Sequence, residues 1–487
     1  IVLLKNEELL PLSKKQKIAV IGPNADNIPM MWGNYNGTPN STVTILDGIR
    51  AKAGKKNVTY LKGCDLTEEC VVNSFLTQCK ADGKKGIRGT FWNNTTRSGK
   101  PVTTEYYVNP IAVTTSGQHT FANGVRMEDF SAMYETTFVP EKSCKAVIRM
   151  QYTGAFSLKV NGKTLAADST WRDQPMRFEL DVEKGKTYDV ELAYHTVKTW
   201  GANMKLNIGE ELPIDYNETI EKLKGIETVV FVGGISSQLE GEEMPVKIDG
   251  FKGGDRTHIE LPKVQREFIR HLAEAGKKIV FVNCSGSAIA LAPEAERCAA
   301  IVQVWYPGME GGTAVADVLF GDYNPQGKLP VTFYKSSSQL PDFEDYSMKG
   351  RTYRYFSDPL YAFGYGLSYT TFKNENIKIE KQPAGDSSLF TLYSSLKNTG
   401  KREGTEVVQV YVRRCDDADG PLKTLKAFER VTLKPGETKK VEIKLDEEAF
   451  TLFDPDTNTM RVVPGKYEVF VGSSSRPEDL KKLNVEI

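Results

Sequence analysis

No stretch of about 18 apolar residues occurs in this chain, so the sequence offers no transmembrane helix. Net charge is missing too: 63 Lys and Arg balance 63 Asp and Glu over 487 residues. Without a basic excess or a long basic cluster, nucleic acid and anionic membrane surfaces are poor partners. A neutral ligand such as a sugar is compatible. Histidine is scarce, at 4, and none of the 7 cysteines forms a CxxC pair, which argues against a Cys/His zinc site. Neither a metal nor a cofactor is expected. Cys64, Cys70 and Cys79 lie close enough in sequence to include one disulfide. An initiator Met and a signal peptide are also lacking, as in a mature protein or a fragment.

What is present is a chain of ordinary globular composition, with 40% hydrophobic and 26% charged residues and a length suited to about three domains. Residues 17–26, 227–234, 278–284 and 300–305 are short apolar runs, several of them stopped by glycine, which reads as buried strands. Phe268, Ile269, Leu272 and Ala273 follow helical spacing between the second and third runs, and 314–320 reads as a further helix. Strand, helix and strand with both strands apolar throughout implies a largely parallel sheet covered on both faces. Residues 85–212 break this pattern with short alternating segments, and Asn161-Gly162 is a strong hairpin turn. From Phe372 onward the strands are again short and regularly spaced, as in an immunoglobulin-like sandwich. The expected class is therefore α/β. An α/β sandwich domain in two parts, 1–84 and 213–371, would enclose a β-sandwich at 85–212 and be followed by another at 372–487.

The feature richest in chemistry is Leu239-Glu240-Gly241-Glu242-Glu243-Met244, followed by Gly253-Gly-Asp-Arg256. The three acids leave the carboxyl end of a buried strand, where open α/β sheets present ligand-binding groups. Crowded carboxylates repel, so at least one is expected to hold its proton more tightly and to serve as a general acid near neutral pH. The plain alternative is a solvated acidic loop. Trp32, Asn34 and Tyr35, after the first strand, are candidates for stacking on sugar, or for interdomain packing. That loop lacks both G-x-G-x-x-G and a P-loop lysine, which argues against a nucleotide site. His258 and His271 have no evident chemical partner in the sequence.

Several motifs in order resemble glycoside hydrolase family 3. They are Ile21-Gly-Pro-Asn-Ala-Asp26, Gly33-Asn-Tyr-Asn-Gly-Thr-Pro39, Trp305-Tyr-Pro-Gly-Met-Glu-Gly-Gly312, 317–333, Tyr353-Arg-Tyr-Phe356 and Phe363-Gly-Tyr-Gly-Leu-Ser368. Asn398-Thr-Gly400, Glu406-Val-Val-Gln409 and Phe428-Glu-Arg430 look like that family's fibronectin-type domain. Gly86-Ile-Arg-Gly-Thr-Phe-Trp-Asn-Asn94 resembles the protective-antigen-type module inserted in some members. Members of that module family that bind calcium carry adjacent Asp residues at a hairpin where this chain has Tyr152-Thr153-Gly154, so no calcium is expected there.

The resemblance implies a retaining, exo-acting β-glycosidase that acts on terminal β-D-xylosyl or β-D-glucosyl residues of a glycoside or oligosaccharide. Such an enzyme uses two carboxyl groups about 5–5.5 Å apart. The nucleophile would be an Asp on an N-terminal barrel, and the acid/base a Glu of the 239–244 loop. Glu242 is the candidate, with Glu240 and Glu243 as alternatives because the local alignment has a gap. Asp255 and Arg256 are expected to hold the loop rather than do chemistry. The resemblance covers only the portion C-terminal to the barrel, so the chain is expected to be a piece of a larger enzyme, inactive alone. The barrel and, in a homodimer, a second copy would be its partners. A periplasmic or secreted location fits polysaccharide degradation. The rival function is non-catalytic carbohydrate binding or adhesion, which has no need of a three-acid loop.

Overall fold

A computed structural model describes residues 1–487 except 38, 116–118, 200, 245, 384–388 and 455–456. Five parallel strands form the central sheet: Ile18–Ile21, Val58–Leu61, Thr228–Gly234, Lys278–Cys284 and Ala300–Gln303. Numbered along the chain, they lie in the spatial order 2-1-3-4-5, and Val2–Asn6 adds an antiparallel edge beside the last. The sheet is covered on both faces because its strands are apolar on both. Val229 and Phe231 enter one core with Phe268, Ile269 and Leu272 of the helix Lys263–Glu274. Val230 and Val232 enter the other with the helices Ile45–Ala53 and Gly311–Leu319. The α/β class and largely parallel sheet expected from the apolar runs are what the chain forms.

Gln265 fixes the carboxyl end of this sheet. Its fully buried side chain donates to the carbonyls of Leu66 and Gly234 and accepts from the Gly234 N–H, each at 2.8 Å. Gln265→Leu would keep the bulk and strand these three backbone groups. It is expected to cost about 2–4 kcal/mol. A denaturation midpoint unchanged from wild type would contradict this.

Between the strands Val58–Leu61 and Thr228–Gly234 the chain builds an 11-stranded antiparallel sheet around a single aromatic-rich core that includes Phe91, Phe130, Tyr134, Phe138 and Tyr194. This sheet reaches back to Cys70–Ser74, which pairs with Asn203–Pro213. Asn161 and Gly162 both take positive φ and close a hairpin between the long strands Cys144–Val160 and Lys163–Val182. Tyr152-Thr153-Gly154 forms no hairpin turn, contrary to expectation. It lies inside the strand Cys144–Val160, where the register shifts, and Tyr152 donates to Asp168 at 2.5 Å.

The C-terminal residues form three strands facing four around a common core, a β-sandwich. The disulfide considered for Cys64, Cys70 and Cys79 does not form, and all three are free thiols. Cys64 is buried in the α/β core and Cys79 in the inserted core, while half-exposed Cys70 accepts from Arg149. Among the described residues, no helix is long and apolar enough to cross a membrane, and no cluster of His, Cys, Asp and Glu has metal-holding geometry.

Candidate active site

In a 2-1-3-4-5 sheet the first and third strands diverge in their connections and open a crevice at their carboxyl ends. The strand Ile18–Ile21 leads into residues 32–35, and Thr228–Gly234 leads into the acid loop. The next two strands contribute Gly286 and Ser287, then Trp305 and Tyr306. Four neighbouring strands therefore deliver their loops to one place.

The three acids do not share one environment. Glu240 is half-buried: its Oε1 accepts from the Gly286 N–H at 2.9 Å and the Tyr306 hydroxyl at 2.6 Å, and its Oε2 from Ser287 Oγ at 2.9 Å. Glu242 is exposed and accepts from the Tyr35 hydroxyl. Glu243, at φ 47°, turns the other way to pair with Arg172 at 3.0 Å. Each carboxylate faces its own partners, so mutual repulsion is not what organises the loop.

Beneath Glu240 lies Arg256. It donates to the carbonyls of His258 and Glu260 and to Ser287 Oγ, and sits 5.3 Å over the buried Phe251 ring. Burial pulls its pKa below the ordinary guanidinium value, opposed by Glu240, Tyr306 and Glu260. Burial, then Glu240, pushes the Tyr306 hydroxyl far above the ordinary phenol value, so it stays a donor. Three two-residue strands, Lys247–Ile248, Phe251–Lys252 and Asp255–Arg256, fold the segment after the acids back to bring Arg256 here. Pro245, which opens that segment, lies outside the described residues, as does Thr38 of the other loop.

The remaining candidates separate clearly. Trp32 packs on the α/β core and donates its indole N–H to Thr42 at 2.8 Å. Asn34 is exposed, and Tyr35 is 83% exposed beside Glu242. His258, without a partner in the sequence reading, lies 3.1 Å from Glu260 and 3.4 Å from Asp249. His271 stacks on Tyr216 and bonds the Glu267 carbonyl, a helix-surface role.

Sequence reading also missed the inserted sheet's contribution. Arg172, from the outer strand of its long hairpin, donates to the carbonyl and carboxylate of Glu243 and stacks 4.3 Å over Trp171. Asp173, next along, lines a cleft of about 1080 Å³ with Asn27, Lys62, Leu239 and Met244. Burial raises the Asp173 pKa, opposed by Asn203, Lys205 and Gln151.

The acid loop thus lies at the crevice of a parallel sheet covered on both faces, and a β-sandwich follows it along the chain. The chain belongs to glycoside hydrolase family 3: residues 1–369 match the Glycosyl hydrolase family 3 C-terminal domain, and 406–475 the Fibronectin type III-like domain. It is 58% identical to a xylan 1,4-beta-xylosidase of Xylanibacter ruminicola, over all of this chain and 57% of that protein. It is 38% identical to a periplasmic beta-glucosidase of Salmonella typhimurium, over 53% of this chain and 34% of that one. The beta-glucosidase of Kluyveromyces marxianus in complex with glucose superposes at TM-score 0.71 and 27% identity, over 100% of this chain and 60% of its own. The chain thus spans little more than half the length of the relatives it matches throughout.

Proposed function

We propose that this chain is the acid/base-bearing part of a retaining, exo-acting β-glycosidase, and that Glu242 is the acid/base. One observation carries the choice of residue. Glu240 is held by three donors and Glu243 by a guanidinium, whereas Glu242 stands exposed with a neutral hydroxyl as its contact.

In the first step protonated Glu242 gives its proton to the glycosidic oxygen as the bond from C1 to that oxygen breaks. An Asp carboxylate of an N-terminal barrel forms the new bond to C1. In the second step Glu242, now a carboxylate, takes a proton from water as the water oxygen displaces the Asp from C1. Tyr35 and Asn34 are proposed to face the sugar. The name of the Xylanibacter relative favours terminal β-D-xylosyl residues, with β-D-glucosyl as the other substrate, and that of the Salmonella relative favours a periplasmic or secreted setting. The inserted sheet is proposed to be a protective-antigen-type module. The fourfold division of the chain is proposed with that module beginning near Cys70, because its sheet begins there.

The test is hydrolysis of p-nitrophenyl β-xyloside and β-glucoside by the whole gene product, with the first-formed sugar anomer read by proton NMR. Release of the β-anomer first is expected. Release of the α-anomer, or no hydrolysis of either substrate, would overturn the reading.

A further inference from the structure

The best-organised polar cluster at the site lies two residues before the proposed acid/base and has no chemical step of its own. Glu240 receives donors from two separate strand ends, Gly286 and Ser287 after Lys278–Cys284 and Tyr306 after Ala300–Gln303. The fit is tight, since a Cβ on Gly286 would lie 2.7 Å from Glu240 Oε1 and 2.9 Å from the Tyr306 ring. Trp305 adopts φ 59°, a left-handed conformation uncommon for so bulky a residue, immediately before Tyr306. Behind Ser287 sits Arg256, itself bonded to two backbone carbonyls. On the other side of Glu242, Met244 N–H bonds the Gly253 carbonyl at 3.0 Å. The loop is therefore anchored on both sides of an exposed carboxylate.

We infer that Glu240 is a positioning residue: its clamp by Gly286, Ser287 and Tyr306 fixes the backbone that aims Glu242 at the glycosidic oxygen. This rests on Glu242 being the acid/base. Proton transfer requires the acid within hydrogen-bond reach of the leaving oxygen, and a displacement of about 1 Å can cost on the order of 100-fold in rate. The clamp's donor pattern makes the two obvious substitutions unequal. A glutamine can keep its carbonyl oxygen where Oε1 accepts from Gly286 and Tyr306, and donate its amide to Ser287 Oγ. An alanine loses all three bonds.

The experiment uses the whole protein and a series of aryl β-glycosides whose leaving groups run from 2,4-dinitrophenol to p-methoxyphenol. kcat/KM reports the bond-breaking step, where a poor leaving group needs the proton and a good one does not. Glu240→Ala is expected to lower kcat/KM about 100-fold on the p-methoxyphenyl substrate and only a few-fold on the dinitrophenyl one. Glu240→Gln, which keeps the shape should the alanine variant fail to fold, is expected to stay within about fivefold of wild type throughout. Hydrogen exchange across 239–244 should speed about tenfold in Glu240→Ala.

A loss uniform across leaving groups, an unchanged alanine variant or unchanged exchange would overturn the inference. Azide rescue of Glu240→Ala but not of Glu242→Ala would instead move the acid/base role to Glu240 and overturn the assignment of Glu242. A wild-type protein that cleaves no glycoside would remove both the acid/base and its positioning residue, whatever the exchange shows of the clamp.

Discussion

Replacing Glu242 with alanine in the whole enzyme is expected to lower kcat/KM for a poor-leaving-group β-glycoside by about 10²–10⁴-fold, and added azide should restore turnover of a good-leaving-group substrate such as the 2,4-dinitrophenyl β-glycoside. The two effects have one cause. Without the carboxyl proton the leaving oxygen departs as an unassisted anion. Without the carboxylate, water loses the base that activates it against the glycosyl-enzyme ester. Azide is a small anionic nucleophile that needs no base: its nitrogen bonds C1 as the ester bond to the Asp breaks, giving a β-glycosyl azide. Glu243→Ala makes the contrast. Its pair with Arg172 is exposed, with side chains 76% and 42% accessible, and such pairs are worth about 0–1 kcal/mol. Activity within about fivefold of wild type is expected there. Chromatography of the azide reaction decides: no glycosyl azide from Glu242→Ala, or rescue of Glu243→Ala, would sink the assignment.

The sheet was largely legible because its strands had to be buried on both faces. Continuous apolar runs such as Val229-Val-Phe-Val232 are what that requirement looks like in sequence. Two strands escaped notice, only the first of them for the opposite reason. Val58–Leu61 is four residues long with one buried residue, and Val2–Asn6 closes an edge, antiparallel to its neighbour. At the site, the acid loop could be found from its place after a strand, but not the differences among its acids. Those come from partners distant along the chain: Gly286, Ser287 and Tyr306 for Glu240, Tyr35 for Glu242 and Arg172 for Glu243. Periodicity carries no record of such pairings. Trp32 shows the converse limit, because an aromatic in a candidate sugar-binding loop looks the same in sequence whether it faces solvent or the core.

The motif ending in Gly311-Gly312 illustrates a part of the sequence whose physical meaning only packing supplies, and it yields a large expected effect on stability. The helix Gly311–Leu319 crosses the start of the helix Ile45–Ala53 with almost no space between backbones. A Cβ on Gly312 would lie 2.0 Å from the Thr44 carbonyl oxygen, and one on Gly48 would lie 2.0 Å from the Gly312 carbonyl oxygen. The Gly312 N–H also bonds the Val43 carbonyl at 3.1 Å. An ordinary helical Gly→Ala change stabilises by about 1 kcal/mol, because alanine has less backbone entropy to lose. Here the methyl meets backbone, which cannot rotate away, so the sign reverses. Gly312→Ala is expected to cost about 2–4 kcal/mol. Gly48→Ala should behave likewise, and the double variant should cost less than the sum, since separating the helices once relieves both clashes. Thermal unfolding of the three variants tests this. A stabilised Gly312→Ala would show that these helices are free to part, and strict additivity would show that the two clashes are relieved separately. The consequence reaches the acid loop, because this helix begins a few residues after Tyr306, one of the three donors that hold Glu240.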